Sequence, residues 1–132
     1  MPVADTELLF ALNPRDPKHR QARSLLASTG NLYIPDVTLL EFELVLRGRG
    51  RTPRETAQAL LALREVLLDA HALEARTLDT TLLTLHCELE AEHNLSFFDS
   101  LIAASALSLD AHIVSDDRAF DRVPGLKRLP LA

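Results

Sequence analysis

Four acidic residues stand at positions where a simple α/β fold would not need them. Asp5 directly follows a short apolar segment, and Asp117 follows a second apolar segment that ends at Ser115. If both segments are parallel strands, these acids lie at the carboxyl ends of strands, where open sheets bind ligands. Glu41 falls on an otherwise apolar helical stripe, and Asp99 falls in the first turn of another predicted helix. The four carboxylates can therefore converge on one crevice.

Simpler roles are also open for three of these acids. Asp5 and Asp117 could only cap the helices that follow them, and Asp99 could only favour the positive end of its helix. Capping does not explain Glu41, because a carboxylate on an apolar stripe is costly unless it meets a cation or hydrogen-bond donors. Converging carboxylates without histidine or cysteine suit a hard cation such as Mg²⁺ or Mn²⁺.

Short apolar segments alternate with longer amphipathic ones along the chain, and this pattern predicts the elements that position the acids. The predicted strands cover residues 1–4, 32–34, 71–74, 112–115 and 126–131, with the last at a sheet edge because it contains Pro130. The alternation of strands and helices predicts an α/β fold, with a mainly parallel sheet and helices on both faces.

The helix boundaries follow from capping signals. A helix is predicted to start near Thr6, and the next one starts at Asp16-Pro17 and ends at Gly30. Further helices are predicted over residues 37–47, from a capping box at Thr52 to about residue 68, over residues 79–92, and after a cap at Ser96.

The composition is that of an ordinary globular chain. The 132 residues are 47% hydrophobic and 25% charged, which predicts one domain over residues 1–132. No apolar stretch approaches the roughly 20 residues of a membrane span, and no export signal is recognisable, so we expect a cytoplasmic protein. The single cysteine, Cys87, excludes an internal disulfide and paired-cysteine zinc sites. The five histidines show no metal-binding spacing with each other.

The charge balance restricts how a nucleic acid could bind. A net charge of −5 means that bulk attraction cannot hold a polyanion, so a local basic patch or a bridging cation is needed. Arg47, Arg49 and Arg51 follow the stripe that carries Glu41, and they could grip phosphate groups. A solvated loop, or a surface that docks an acidic partner, explains the same arginines.

The segments around the four acids resemble the PIN-domain ribonucleases and, in size and layout, the VapC-like toxins of toxin–antitoxin pairs. The matching segments, in the order of the family, are Val3–Thr6, Val37–Glu41, Phe98–Ala104 and Ile113–Phe120. The resemblance implies a three-layer α/β/α sandwich and a homodimer. It also implies that the four acids hold Mg²⁺ or Mn²⁺, with Thr6 and Ser115 as supporting hydroxyls.

The activity implied by the resemblance is metal-dependent cleavage of single-stranded or structured RNA by the toxin of a toxin–antitoxin pair, with a small antitoxin protein as partner.

Two positions depart from the family. Glu7 stands where Asn or Ser is usual and could add a carboxylate or turn away, and Asp116 could ligate the metal through water. The alternatives are a PIN-like binding module without turnover and a housekeeping RNA-processing nuclease. A phosphatase is disfavoured because Asp5-Thr6-Glu7 lacks the second aspartate of its motif.

One helix is richer in leucine than a single buried stripe requires. Its leucines predict either core packing or a surface that binds a second copy of the chain or an antitoxin, and they are Leu60, Leu61, Leu67 and Leu68.

Overall fold

A computed structural model describes residues 1–29 and 31–131, which form a five-stranded sheet with helices on both faces. The strands are β1 (Val3–Ala4), β2 (Tyr33–Pro35), β3 (Leu73–Ala75), β4 (His112–Val114) and β5 (Lys127–Leu129). Their order across the sheet is β3-β2-β1-β4-β5, and every neighbouring pair is parallel. The α/β class, the mainly parallel sheet and the edge position of the last strand are confirmed.

Within the described part of the chain, six α-helices and one 3₁₀ helix connect the strands. They are α1 (Thr6–Ala11), α2 (His19–Thr29), α3 (Asp36–Gly48), α4 (Pro53–Asp69), α5 (Thr80–His93), α6 (Phe97–Leu109) and a 3₁₀ helix (Arg118–Arg122). No helix within the described ranges is both long and apolar enough to span a membrane.

The two residues of β1 show why the fold has three layers. Successive side chains of a strand point to opposite faces, and Val3 and Ala4 accordingly enter different apolar clusters. The cluster on one face contains Leu8, Ile34, Phe42, Leu63 and Val114, among others. The cluster on the other face contains Val37, Ile102, Ala103, Ile113 and Phe120, among others.

The register of β1 and β4 fixes the place of the predicted crevice. Val3 lies opposite Ile113 and Ala4 lies opposite Val114, so the next residues, Asp5 and Ser115, leave the sheet at the same edge. The backbone N–H of Asp5 donates to the Val114 carbonyl at 3.2 Å and extends this pairing.

Most helix boundaries lie within a residue or two of those predicted. The Thr52 capping box is confirmed, since the Thr52 hydroxyl accepts from the Glu55 N–H at 3.1 Å and the Glu55 carboxylate accepts from the Thr52 N–H at 3.0 Å. The prediction that α2 starts at Pro17 is wrong by two residues, because Asp16 accepts from the Lys18 N–H at 2.8 Å in a turn and the helix begins at His19. The predicted helix end at Gly30 lies outside the described residues, and the 3₁₀ helix is absent from the sequence prediction.

The leucine-rich helix, α4, divides its leucines between core and surface. Leu67 is buried in the core, whereas Leu61 is 62% exposed and Leu68 is 56% exposed. Core packing therefore explains only part of the leucine content of this helix.

Asp36, the first residue of α3, holds the segment after β3 against the rest of the fold. Its carboxylate accepts from the Thr77 hydroxyl at 2.8 Å and from the N–H groups of Thr77, Leu78 and Val37 at 3.2, 3.1 and 2.9 Å. Partial burial acts to raise the pKa of Asp36, but these hydrogen bonds outweigh it and hold the pKa below 3.8.

We expect Asp36→Ala to lower the free energy of unfolding by about 1–3 kcal/mol, because three N–H groups and one hydroxyl lose a charged acceptor. Asp69→Ala is the control, since it removes an exposed carboxylate from the negative end of α4 and should leave stability unchanged or slightly higher. Urea unfolding at pH 7 measures both. An equal effect of the two substitutions would show that the Asp36 contacts do not stabilise the fold.

Candidate active site

Asp5 lies buried at the carboxyl end of β1, and both of its carboxylate oxygens accept hydrogen bonds. One accepts from the Thr6 N–H at 2.8 Å, and the other accepts from the Ser115 hydroxyl at 2.7 Å. Burial, which outweighs these hydrogen bonds, and the negative charges of Asp99 and Glu41 together raise the pKa of Asp5 to about 7. Asp5 also caps α1, so the capping role considered from the sequence is confirmed.

Glu41 lies in the second turn of α3 and faces the same crevice. The Thr6 hydroxyl donates to its Oε1 atom. Burial raises the pKa of Glu41, the hydrogen bond from Thr6 lowers it, and the charge of Asp99 raises it. The side chain thus has a partly buried place with one hydrogen-bond donor. The prediction that the stripe around Glu41 faces the core is wrong, because Leu40 and Leu44 are exposed. The residues that α3 buries instead are Val37, Thr38, Phe42 and Leu46.

Asp99 lies in the first turn of α6, where its N–H donates to the Ser96 hydroxyl at 3.2 Å. Burial raises the pKa of Asp99, and the negative charge of Asp117 also raises it. The Ser96 hydroxyl and the positive charge of Arg122 act in the opposite direction without cancelling the rise. Arg122 itself donates to the Asn94 carbonyl at 3.0 Å.

Asp117 starts the 3₁₀ helix, and Ser115 connects it to Asp5. The Ser115 hydroxyl accepts from the Asp117 N–H at 3.0 Å while it donates to Asp5. The Asp117 carboxylate accepts from the Ala119 N–H at 2.9 Å, so it too is a cap.

The four acids form a set of mutually repelling charges, which we call the acid cluster (Asp5, Glu41, Asp99 and Asp117). The charge of Asp99 raises the pKa of both Asp5 and Glu41, and that of Asp117 raises the pKa of Asp99. The four carboxylates offer oxygen ligands, which are the ligands that Mg²⁺ and Mn²⁺ prefer. Within residues 1–29 and 31–131, however, no three His, Cys, Asp or Glu side chains are arranged to hold a metal ion as they stand. The donor chemistry of the acid cluster fits such an ion.

Glu7 and Asp116 have a different partner. Both carboxylates contact the ammonium group of Lys18, Asp116 at 2.7 Å. Asp116 also accepts from the Leu131 N–H at 2.7 Å. The proposed water-mediated contact of Asp116 with a metal stays a prediction.

The predicted RNA-binding arginines lie near the far end of α3. Arg47 follows Glu41 by six residues, about 9 Å along the helix axis, and it pairs with Glu43 at 3.6 Å. The Arg49 guanidinium lies 4.7 Å from the centroid of the Phe10 ring, a cation–π contact. Arg49 and Arg51 both line a groove beside the C-terminal end of α3.

His86 supports the helix that carries Asp99 and was not assigned a role from the sequence. It is 3% exposed in α5, and its Nδ1 atom lies 2.7 Å from the Ser100 hydroxyl in α6. The His86 ring also packs edge-on against Phe97 at 4.8 Å. The apolar stripe on α5 placed His86 on the buried side, but no sequence pattern pairs it with Ser100.

The family model of the PIN domain matches residues 3–126, which is nearly the whole chain. The chain belongs to the PIN-domain family. A search of curated proteins found no match. The match spans every member of the acid cluster, Thr6, Ser115 and the strands β1 to β4, and it ends one residue before β5.

Solved structures share the fold of this PIN-domain protein. FitAcB from Neisseria gonorrhoeae has a TM-score of 0.72 and 15% identity, over 99% of this chain and 98% of that one. VapC20 from Mycobacterium tuberculosis, described as a toxin that cleaves the sarcin-ricin loop, has a TM-score of 0.71 and 20% identity, over 92% and 93%. DNA-bound VapBC from Salmonella typhimurium has a TM-score of 0.69 and 20% identity, over 100% of both chains. At these identities the likeness concerns the fold.

The raised pKa of Asp5 predicts a specific pH dependence for the metal-free protein. A carboxyl whose pKa rises on folding binds its proton more tightly in the native state, so its contribution to stability falls as pH rises from about 4 to about 7. The difference between 3.8 and about 7 corresponds to at most about 4 kcal/mol. Asp5→Asn should therefore gain stability relative to wild type over this pH range.

Urea unfolding in EDTA at several pH values between 4 and 8 measures this difference, with Asp69→Asn as the exposed control. A difference between Asp5→Asn and wild type that stays constant across this range would contradict the raised pKa.

Proposed function

We propose that this PIN-domain protein is a metal-dependent endoribonuclease and the toxin of a toxin–antitoxin pair. The observation that supports it is the acid cluster. Its four carboxylates, which follow β1, lie in α3 and α6, and precede the 3₁₀ helix, act on one another at one edge of the sheet. A structural role does not require four mutually repelling acids, since such repulsion only destabilises the fold.

Asp5, Glu41, Asp99 and Asp117 would hold Mg²⁺ or Mn²⁺ in this proposal. A bound divalent ion supplies an acidified water molecule and neutralises charge on a scissile phosphate. It also lets an acidic crevice accept a polyanion, which the carboxylates alone would repel.

The chain's own groups orient the acids. Ser115 directs its hydroxyl at Asp5 and accepts the N–H of Asp117, which fixes the first and last acids relative to each other. The Thr6 hydroxyl donates to Glu41. These contacts hold two of the carboxylates in place before substrate binds, which is how a site gains from preorganisation.

RNA would reach this site as a single-stranded or structured substrate, with Arg47, Arg49 and Arg51 contacting its phosphates beyond the crevice. Guanidinium groups suit this role because their donors match phosphate oxygens. Because Arg47 lies about 9 Å along α3 from Glu41, with Arg49 and Arg51 beyond it, such contacts would be made to nucleotides other than the one that is cleaved.

A small antitoxin is the proposed partner, since a solved structure from Klebsiella pneumoniae that shares this fold is described as a toxin–antitoxin complex. A groove of about 670 Å³ between α3 and α4 offers an apolar surface for it, lined in part by Leu40, Leu60 and Leu61. We also propose that the chain forms a homodimer, in which exposed leucines outside this groove, such as Leu68 of α4, would contact the second copy.

We expect Asp5→Asn and Asp117→Asn to weaken Mn²⁺ binding at least tenfold and to lower RNA cleavage by orders of magnitude. Asparagine keeps a capping oxygen but lacks the charge that a divalent ion needs, so both variants should remain folded. Mn²⁺ titration by calorimetry and cleavage of a single-stranded RNA measure the two effects.

Asp16→Asn is the matched control, because Asp16 also accepts a backbone N–H but from a turn outside the acid cluster. It should retain wild-type binding and cleavage. If Asp5→Asn and Asp117→Asn also keep both, the two acids are only caps and the proposed nuclease site is wrong.

A further inference from the structure

Lys18 binds two carboxylates that flank the acid cluster. Its ammonium group contacts Glu7 in α1 and lies 2.7 Å from the Oδ2 atom of Asp116. A direct hydrogen bond also joins the two acids, since the Asp116 N–H donates to the Glu7 carboxylate at 3.3 Å. The Leu131 N–H donates to the second oxygen of Asp116 at 2.7 Å. One cation therefore joins α1, the turn before α2 and the segment after β4.

Glu7 and Asp116 both lie close in the sequence to members of the acid cluster. Glu7 follows Asp5 by two residues, and Asp116 immediately precedes Asp117. Their side chains are 29% and 21% exposed, so neither is sealed in the core. Without the Lys18 ammonium group, both carboxylates would lose the cation that holds them beside the site proposed for Mg²⁺ or Mn²⁺, although the Leu131 N–H would still donate to Asp116.

We propose that Lys18 is a positioning residue that binds Glu7 and Asp116 and so keeps their carboxylates out of the cation site. This inference rests on the proposed function. Lys18 suits the task because an ammonium group carries three donors, enough for two carboxylates at once. Its backbone is held by the hydrogen bond from the Lys18 N–H to Asp16 at 2.8 Å.

Stability alone does not account for this arrangement. Lys18 is 39% exposed, and partly exposed ion pairs contribute little to the free energy of unfolding. The number of charged oxygen ligands, in contrast, strongly tunes how tightly a divalent ion is held. The main effect of Lys18 is therefore to reduce the number of carboxylates that can bind a cation in the site.

The test counts Mn²⁺ ions by calorimetry on the metal-free chain. Glu7→Gln with Asp116→Asn should bind the wild-type number of ions with an affinity within about threefold of wild type, because Lys18 keeps both acids out of the cation site, in place of the water-mediated contact that the sequence suggests for Asp116. Lys18→Met should bind an additional ion or bind at least tenfold more tightly, because two carboxylates are released. Lys18→Arg should behave as wild type.

Two further variants separate release of the carboxylates from a simple change of charge. Arg20→Met removes an exposed cation from the same segment and should leave the number of ions unchanged. Combining Lys18→Met with Glu7→Gln and Asp116→Asn should restore the wild-type number, because no carboxylate is left to release.

The outcomes separate this inference from the proposed function. If the Glu7→Gln, Asp116→Asn variant does not bind Mn²⁺ while wild type does, these acids are ligands. That result would overturn the proposed role of Lys18 but not the proposed function. Binding by Lys18→Met that equals wild type would overturn it as well. If Lys18→Met does not fold, the Glu7→Gln, Asp116→Asn variant decides by itself. A wild-type chain that binds no Mn²⁺ would overturn both proposals.

Discussion

The parallel pairing of β1 with β4 is the constraint on which the acid cluster depends. It places Ala4 opposite Val114, so the two chains leave the sheet side by side and Ser115 can donate to Asp5. The same hydroxyl accepts the N–H of Asp117 and thereby starts the 3₁₀ helix. A slip of one residue would reverse the faces of Val3 and Ala4, and would carry Asp5 away from Ser115. Apolar packing on both faces of the sheet thus sets the polar geometry at its edge.

Electrostatic repulsion is the cost of this geometry. Burial and neighbouring charges raise the pKa of Asp5, Glu41 and Asp99 together, so the fold keeps its acids in places that favour their protonated forms. Lys18 pairs with Glu7 and Asp116 beside the acid cluster, while hydroxyl groups donate to Asp5 and Glu41 within it. Natural proteins commonly lose stability where a site needs strained or charged groups.

The sequence predicted the parts of the fold that arise from local patterns. The Thr52 capping box and the cap at Ser96 follow from residue types at fixed spacing. The last strand is at the sheet edge as predicted, but Pro130 lies just beyond it. The contacts of Lys18, the hydrogen bonds between Asp36 and Thr77, and the pairing of His86 with Ser100 were not predictable in this way. Each joins residues that are distant in the sequence, and only the tertiary fold brings them together. The start of α2 was misplaced because Asp16 caps a turn before the helix.

The most direct test of the account is the position of Mn²⁺ in crystals of the wild-type chain, located by anomalous diffraction. The account predicts a peak in contact with carboxylate oxygens from at least three of the four residues of the acid cluster, with the Lys18 contacts to Glu7 and Asp116 intact. An acid cluster that holds no ion at saturating Mn²⁺, or a peak bound only between Glu7 and Asp116, would contradict it.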